Sequence, residues 1–546
     1  MKELILKEDN NMMAKNKRYI EILKWIWLVA CFSALVISVA CWLPSMVDSD
    51  MASEMVLAKL IQEEGHFVFT NNWFYSTEIR VLYIQIIYSI LFRFTSNWYV
   101  VRVIGNAIIY LIMIFSLYYM CKQDCELKKL FPIIGGIILL PLSRDYYQIV
   151  LYTESYAPFI SISFILIGIA LSVSKSNGSL IKNKELYMGG GVALCSGLNG
   201  MRQLMVLFFP ALLTAIVMYL YPRTYKRMNN NSVVAEEDNR QKARFLSVVF
   251  VLSFCAIVGF VINDKVLSKY FVFRKYNFMS WKHIKLETIS EIIDGLFSSL
   301  GWAYGSVFSI SSVINIGLSL MIIFLFIQYR SLLKRNITMS YDNKVICVYF
   351  IISLVLFSLI ILFTDMHYIA RHNLPIVVFL YPVLFILSIN IENNTIRRTI
   401  QVLCICLALI QGCYQYYTYG NLAKKGNDRE SVAKYLVEHN YTEGYASFWN
   451  ANVLTELSGG KIEVWNYGDS AITSFGDLHP WLQRKDHLVR KPDGRLFVLT
   501  TNEEIENFPI LKLLDKNKTV TEIGEYLILE YNNIGEMPEE LLECHY

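Results

Sequence analysis

"TEIRVLYIQIIYSILFRFT", residues 77–95, is a mostly apolar stretch long enough to decide how the rest of the chain is threaded. As a helix rising 1.5 Å per residue it would reach across about 30 Å of hydrocarbon. Glu78, Arg80 and Arg93 sit inside it, however, and a span would have to carry all three. Either it crosses a bilayer or it lies along one face.

The connections that follow it choose between these readings. "CKQDCELKK" (121–129), "SKSNGSLIKNKE" (174–185), "YPRTYKRMNNNSVVAEEDNRQKAR" (221–244), "YRSLLKRN" (329–336) and "IENNTIRR" (391–398) are all basic. The N-terminus is basic too, with Lys2, Lys7, Lys15, Lys17, Arg18 and Lys24. Basic loops collect on the cytoplasmic side of a membrane. All six segments share that side only if 77–95 does not cross. It is therefore expected to lie at the outer interface, its charged residues near water.

Composition agrees with a membrane chain. The 546 residues are 55% hydrophobic and 18% charged, with a mean hydropathy of +0.39. Soluble proteins carry more charge, about a quarter of their residues. Stretches 25–43, 98–120, 155–173, 203–221, 245–263, 306–328, 345–363, 374–390 and 399–418 are long enough to span, and 131–142 and 186–198 are shorter candidates. The fold expected is a polytopic α-helical membrane protein of about eleven transmembrane helices. The first run lacks a small-residue cleavage site and is not a cleavable signal. The net charge of +4 is too small to mark a partner, and no nucleic acid is expected to bind.

This threading divides the chain into a cytoplasmic N-terminus (1–23), a transmembrane catalytic domain (24–418) with an outer loop at 44–97, and an extracytoplasmic tail (419–546). All eight histidines fall in outer segments, which exclusion of His from hydrocarbon explains as well as chemistry would. Ten of the eleven cysteines lie in or near the membrane domain and only Cys544 in the tail, so the tail holds no disulfide framework.

The outer segments carry the chemistry. "WLPSMVDSDMASEM" (42–55) leaves the first span and enters three acids, Asp48, Asp50 and Glu54. Asp50 is expected to cap a helix ending at Gly65. At a membrane rim a carboxylate pKa rises toward the range of a general base, which makes Asp48 and Asp50 candidates for that role. "LSRDYYQIVLYTESYAPF" (142–159) brings Asp145 and Glu154 to the same side, approached by Tyr152 and other tyrosines. "SGLNGMRQLMVLFFP" (196–210) holds Arg202 at a tight turn, and "RHNLP" (371–375) puts Arg371 and His372 before another span. A planar guanidinium there suits a phosphate, though snorkelling to headgroups is the plainer role for either arginine alone.

The acids opening the first outer loop, the second acid before a later span and the late R-x-x-x-P resemble the GT-C superfamily of membrane glycosyltransferases. That group includes protein O-mannosyltransferases, lipid A aminoarabinose transferases and oligosaccharyltransferases. The likeness covers roughly residues 20–420 in layout. "DSDMASEMVLAKLIQEEG" is similar to the family's acid followed by a helix ending in Gly, with Asp50 the best match and Asp48 the alternate. "RHNLP" resembles Arg-Tyr-x-x-Pro, with His372 in place of the aromatic. The resemblance implies an inverting transferase at the cell membrane, taking sugar from a polyprenyl-phosphate carrier to a cell-envelope glycan, lipid or protein. Asp50 or Asp48 would be the base, and Arg202 and Arg371 would hold the leaving phosphate. Glu154 would orient the acceptor or join Asp50 around a divalent metal, which some members need and others do not.

The tail reads differently. Helices at "NDRESVAKYLVEHN", "NANVLTELSGG" and "NEEIENFPILKLLDKN" alternate with strands "GYASFW", "KIEVWNY" and "RLFVLTT", giving a small α/β domain with a mostly parallel sheet. Trp449, Asn450, Trp465 and Trp481 suit either sugar stacking or a core. A lipid-linked glycan polymerase or ligase would instead use Arg-rich outer loops. A flippase or other transporter would need polar or broken helices at the bilayer midplane. A scaffold without catalysis is the remaining alternative.

Overall fold

The computed structural model describes residues 2–152, 156–220, 232–273, 280–282, 284–302, 309–333, 339–366, 368–426, 428–467, 480–507, 511, 520–538 and 542. The helical part runs α1 (Lys2–Met46), α2 (Ser49–Glu63), the two-residue strand β1 (Phe74–Tyr75), α3 (Ile84–Leu91), α4 (Trp98–Cys121), α5 (Cys125–Ile138), α6 (Ala157–Lys175), α7 (Lys184–Leu198), α8 (Phe209–Leu220) and α9 (Ser232–Lys265). It continues through β2 (Val272–Phe273), α10 (Leu286–Ser299), α11 (Ile310–Leu333), α12 (Tyr341–Phe363), α13 (Ala370–Val377), α14 (Leu380–Ile389) and α15 (Asn394–Lys424). Two π-helical segments, Tyr146–Tyr152 and Leu204–Phe208, precede α6 and α8.

Among the described residues, eight helical segments are long and apolar enough to cross a membrane. They coincide with eight of the expected crossings. The other three, 131–142, 186–198 and 203–221, are also helical but shorter: α5, α7 and Leu204–Leu220. Membrane helices can use only van der Waals packing and hydrogen bonds to associate, so small residues mark their tightest contacts. α7 and α9 show this plainly. A Cβ on Gly197 would fall 1.9 Å from the Ala256 carbonyl oxygen, and one on Gly259 would fall 2.0 Å from that of Leu194. The stretch 77–95 holds only α3, eight residues long, or about 12 Å. α3 is too short to cross.

The tail contributes α16 (Asp428–Glu438), β3 (Glu443–Ala446), α17 (Ala451–Leu457), β4 (Glu463–Asn466), β5 (Leu496–Thr501), α18 (Asn502–Asn507), β6 (Val520–Ile523) and β7 (Tyr526–Tyr531). Its five-stranded sheet has the order β4-β3-β5-β7-β6. β3 runs parallel to both β4 and β5, as the expected α/β pattern requires. The antiparallel hairpin β6–β7 was not anticipated and makes the sheet mixed. Along β5 successive side chains point to opposite faces. Leu496 and Val498 join one core with Trp465 and Leu529, while Phe497 and Leu499 join the other with Leu436 and Leu454.

This domain is stitched to the first loop by backbone. The Phe74 N–H donates to the Gln483 carbonyl, and the Leu482 N–H returns a bond to the Phe74 carbonyl, each at 2.9 Å. β1 pairs with β2 on its other side.

Candidate functional site

The chain turns into α2 at Asp48. Its backbone is extended (φ −110°, ψ 171°) and its carboxylate accepts the Met51 N–H at 2.9 Å. Asp48 is thus the cap expected of Asp50. The helix begins at Ser49, one residue before Asp50, so Asp50 falls in its first turn, where a negative charge suits the helix dipole. Asp50 is exposed, whereas Asp48 is half-buried. Burial pushes the Asp48 carboxyl up to about 6, the neighbouring Asp50 charge adds to this, and the Met51 amide and Arg102 oppose it.

One turn after Asp50, on the same face, Glu54 is buried and paired with Arg80. Arg80 also stands 3.8 Å from Glu78, itself buried. The charges in 77–95 were expected near water. Only Arg93 is exposed, because residues 78–81 fold inward and are clamped there. The Ile79 N–H donates to Asn263 Oδ1 at 3.2 Å, and the Val81 N–H to Asn199 Oδ1 at 2.7 Å. The Glu78 carboxylate lies over Gly200, whose φ of +87° favours glycine and where a Cβ would sit 3.0 Å from Oε2.

An aromatic bridge joins this cluster to Arg202. Arg80 lies 4.6 Å from the Tyr83 ring centroid. Tyr83 meets Phe159 at 5.8 Å, and Phe159 meets Tyr156 at 5.6 Å. Arg202 covers both Tyr156 and Phe159, at 4.9 and 5.2 Å. Both Arg202 and Arg371 lie within electrostatic reach of His372. Among the described residues neither arginine has a carboxylate partner, and Arg371 Nε is buried without a hydrogen bond. Two guanidinium groups acting on one imidazole, with no carboxylate paired to either among the described residues, suit a phosphate.

Asp145 and Tyr152 sit in a neighbouring layer. Asp145 is half-buried, and burial raises its carboxyl against the opposing charge of Arg144. Tyr152 is fully buried, with Tyr147 at 5.8 Å, and Tyr147 in turn packs on Tyr419 at 4.6 Å. Tyr152 is thus a core ring here. Glu154 lies outside the described residues.

Among the described residues, the carboxylate and imidazole groups close enough to share a metal are Glu463, Asp486 and His487, all in the tail domain. Arginines already serve them. Arg490 pairs with Glu463, Arg484 stands 3.4 Å from Glu463, and Arg484 is bonded to Asp486 at 2.9 Å. That donor set is an ion-pair network and does not suit a second cation. Trp465, in contact with His487, is a fully buried core residue and Asn450 is buried, while Trp449 is exposed and Trp481 half-buried.

No family model matches the chain, and no curated protein sequence matches it. Solved structures do. ArnT from Cupriavidus metallidurans in the apo state aligns over 92% of this chain and 97% of its own, with TM-score 0.50 at 9% identity. The same protein bound to undecaprenyl phosphate aligns over the same shares, 92% and 97%, with TM-score 0.51 at 10% identity. An oligosaccharyltransferase from Archaeoglobus fulgidus in the apo form covers 94% of this chain and 75% of its own at 10% identity, but its TM-score of 0.47 bears on neither fold nor function. At these identities the likeness is one of fold.

Proposed function

We propose that this chain, built on the GT-C fold it shares with ArnT, is an inverting glycosyltransferase that moves a sugar from a polyprenyl-phosphate carrier to a cell-envelope acceptor. The observation that carries the reading is the pair Arg202 and Arg371, both within electrostatic reach of His372 and, among the described residues, without a carboxylate partner. A structural neighbour crystallised with undecaprenyl phosphate supports the choice of carrier.

The chemistry follows from these charges. Asp50, exposed in the first turn of α2, takes the proton from an acceptor hydroxyl or amine. The acceptor attacks the anomeric carbon from the face opposite the leaving oxygen, a new bond to the sugar forms, and the sugar–phosphate C–O bond breaks. Its electrons pass to the lipid phosphate, whose growing negative charge the two guanidinium groups stabilise. Inversion is the stereochemical result of this single displacement. Glu154 is assigned to orienting the acceptor. The basic connections support a cytoplasmic N-terminus, with the acids and the tail domain on the outer side.

The test lies in Arg371. Arg371→Ala removes both charge and fork, and Arg371→Lys keeps the charge alone. With purified protein and polyprenyl-phosphate donor, kcat/KM for the donor falls on the order of a hundredfold for Ala and less for Lys. The dependence on acceptor concentration stays as in the wild type. Unchanged donor kinetics in both variants would make Arg371 a lipid anchor and remove the proposal's main support.

A further inference from the structure

We propose that the tail domain is a working part of the transfer site, with Glu456 as the positioning residue that holds α2 and its acids in place through Arg102. This rests on the assignment of the α2 acids to catalysis.

Arg102 is the fifth residue of α4 and is wholly buried. Its Nε donates to Glu456 Oε1 at 2.9 Å and its Nη2 to Glu456 Oε2 at 2.6 Å, a two-pronged bond between residues 354 positions apart. The same Nη2 donates to the Met51 carbonyl oxygen at 3.0 Å. Its Nη1 donates to Tyr88 Oη at 3.1 Å, and that hydroxyl donates to Asn106 Oδ1 at 2.8 Å. One guanidinium therefore ties the tail domain, α3 and α4 to the carbonyl of Met51, the residue after Asp50.

A second tie lies one turn away on α17. Asn452 Nδ2 donates to Ser53 Oγ and to the Leu482 carbonyl, both at 2.8 Å. Ser53 Oγ in turn donates to the Ser49 carbonyl at 2.6 Å. Both ends of the first turns of α2 are thus bonded to α17 or to its partner. Gly460, in the turn after α17, lies against Trp98 at the start of α4.

A buried ion pair is seldom the most stable choice, since apolar residues of equal volume pack as well without desolvating charge. What such a pair provides is direction. Arg102 has the five donors needed to hold Glu456, Met51 and Tyr88 at once, and a domain docked for packing alone would need none of them.

Two variants of the full-length protein in lipid nanodiscs separate positioning from stability. Glu456→Gln removes the charge paired with Arg102. Arg102→Met with Glu456→Leu replaces the pair by apolar groups. In Glu456→Gln, hydrogen exchange of the amides at 49–56 is expected to rise at least about tenfold, and kcat to fall by a similar factor at unchanged donor KM. In the double variant the melting temperature returns to that of the wild type, while fast exchange at 49–56 and low kcat persist. A double variant with wild-type kcat and protected amides would overturn the proposal, as would undisturbed protection in Glu456→Gln. Should the wild type transfer no sugar, the assignment of the acids fails on that result alone, and exchange at 49–56 still reads whether Glu456 holds α2.

Discussion

At the scale of single residues, two acids separated by a serine do different work. Asp48 caps α2 and Asp50 faces solvent. Sequence leaves this open, because either acid is a good cap and the choice depends on where the helix starts, a boundary that pattern fixes only to a residue or two. The Asp48 carboxyl, raised to about 6, favours its protonated form in the fold. Its contribution is full below the ordinary aspartate value near 4 and is lost as pH rises through about 6. Asp48→Asn keeps the cap and removes the titration. It should melt with the wild type at pH 4 and a few degrees higher at pH 7.5. Asp48→Ala also removes the titration but loses the cap, and should be about 1 kcal/mol less stable than Asp48→Asn at both. An Asn variant that melted lower at pH 7.5 would show that the ionised carboxylate stabilises the fold.

Between elements, the contact of α7 with α9 depends on glycine. Gly197→Val would drive its Cβ into the Ala256 carbonyl, a backbone atom that cannot swing away. Overpacking of this kind costs about 1–3 kcal/mol. Gly191 lies on the same helix with nothing within 4 Å of its would-be Cβ, so Gly191→Ala should be neutral or slightly stabilising. Thermal unfolding in detergent compares them, and equal melting temperatures would show that α7 and α9 do not meet there. Other elements show what pattern reading misses. The hairpin β6–β7 is written in "VTEIGEYLILEY" (520–531), two strand-like runs around Gly524-Glu525, with Gly524 at φ +60°. Glycine opening a two-residue loop is a recognised hairpin signal, so the sequence itself carries this element.

Across the whole molecule, the long apolar helices were legible because hydrocarbon allows a spanning chain few alternatives. The charges of the first loop were not. Glu78 and Arg80 look like water-facing ends of an interfacial helix, whereas Asn199, Asn263 and Gly200, far along the chain, and Glu54 of α2 hold them inward. The Arg102–Glu456 pair is hidden in the same way, since nothing local links residues 354 positions apart. The sidedness proposed from the basic connections is open to direct labelling. In a variant stripped of native thiols, single cysteines placed at 122–129 should resist a membrane-impermeant reagent in intact cells. One placed at exposed Lys491 of the tail domain should react. Labelling at 122–129 would invert the whole arrangement.

The central claim is transfer from a lipid phosphate with Asp50 as base. It is tested most directly by following the carrier released when purified protein meets radiolabelled lipid-linked sugars extracted from producing cells. Wild-type protein should release polyprenyl monophosphate in step with acceptor glycosylation. Asp50→Asn, folded and still binding the carrier, should release at least about a hundredfold less. Release of polyprenyl diphosphate, or undiminished release by Asp50→Asn, would contradict the account.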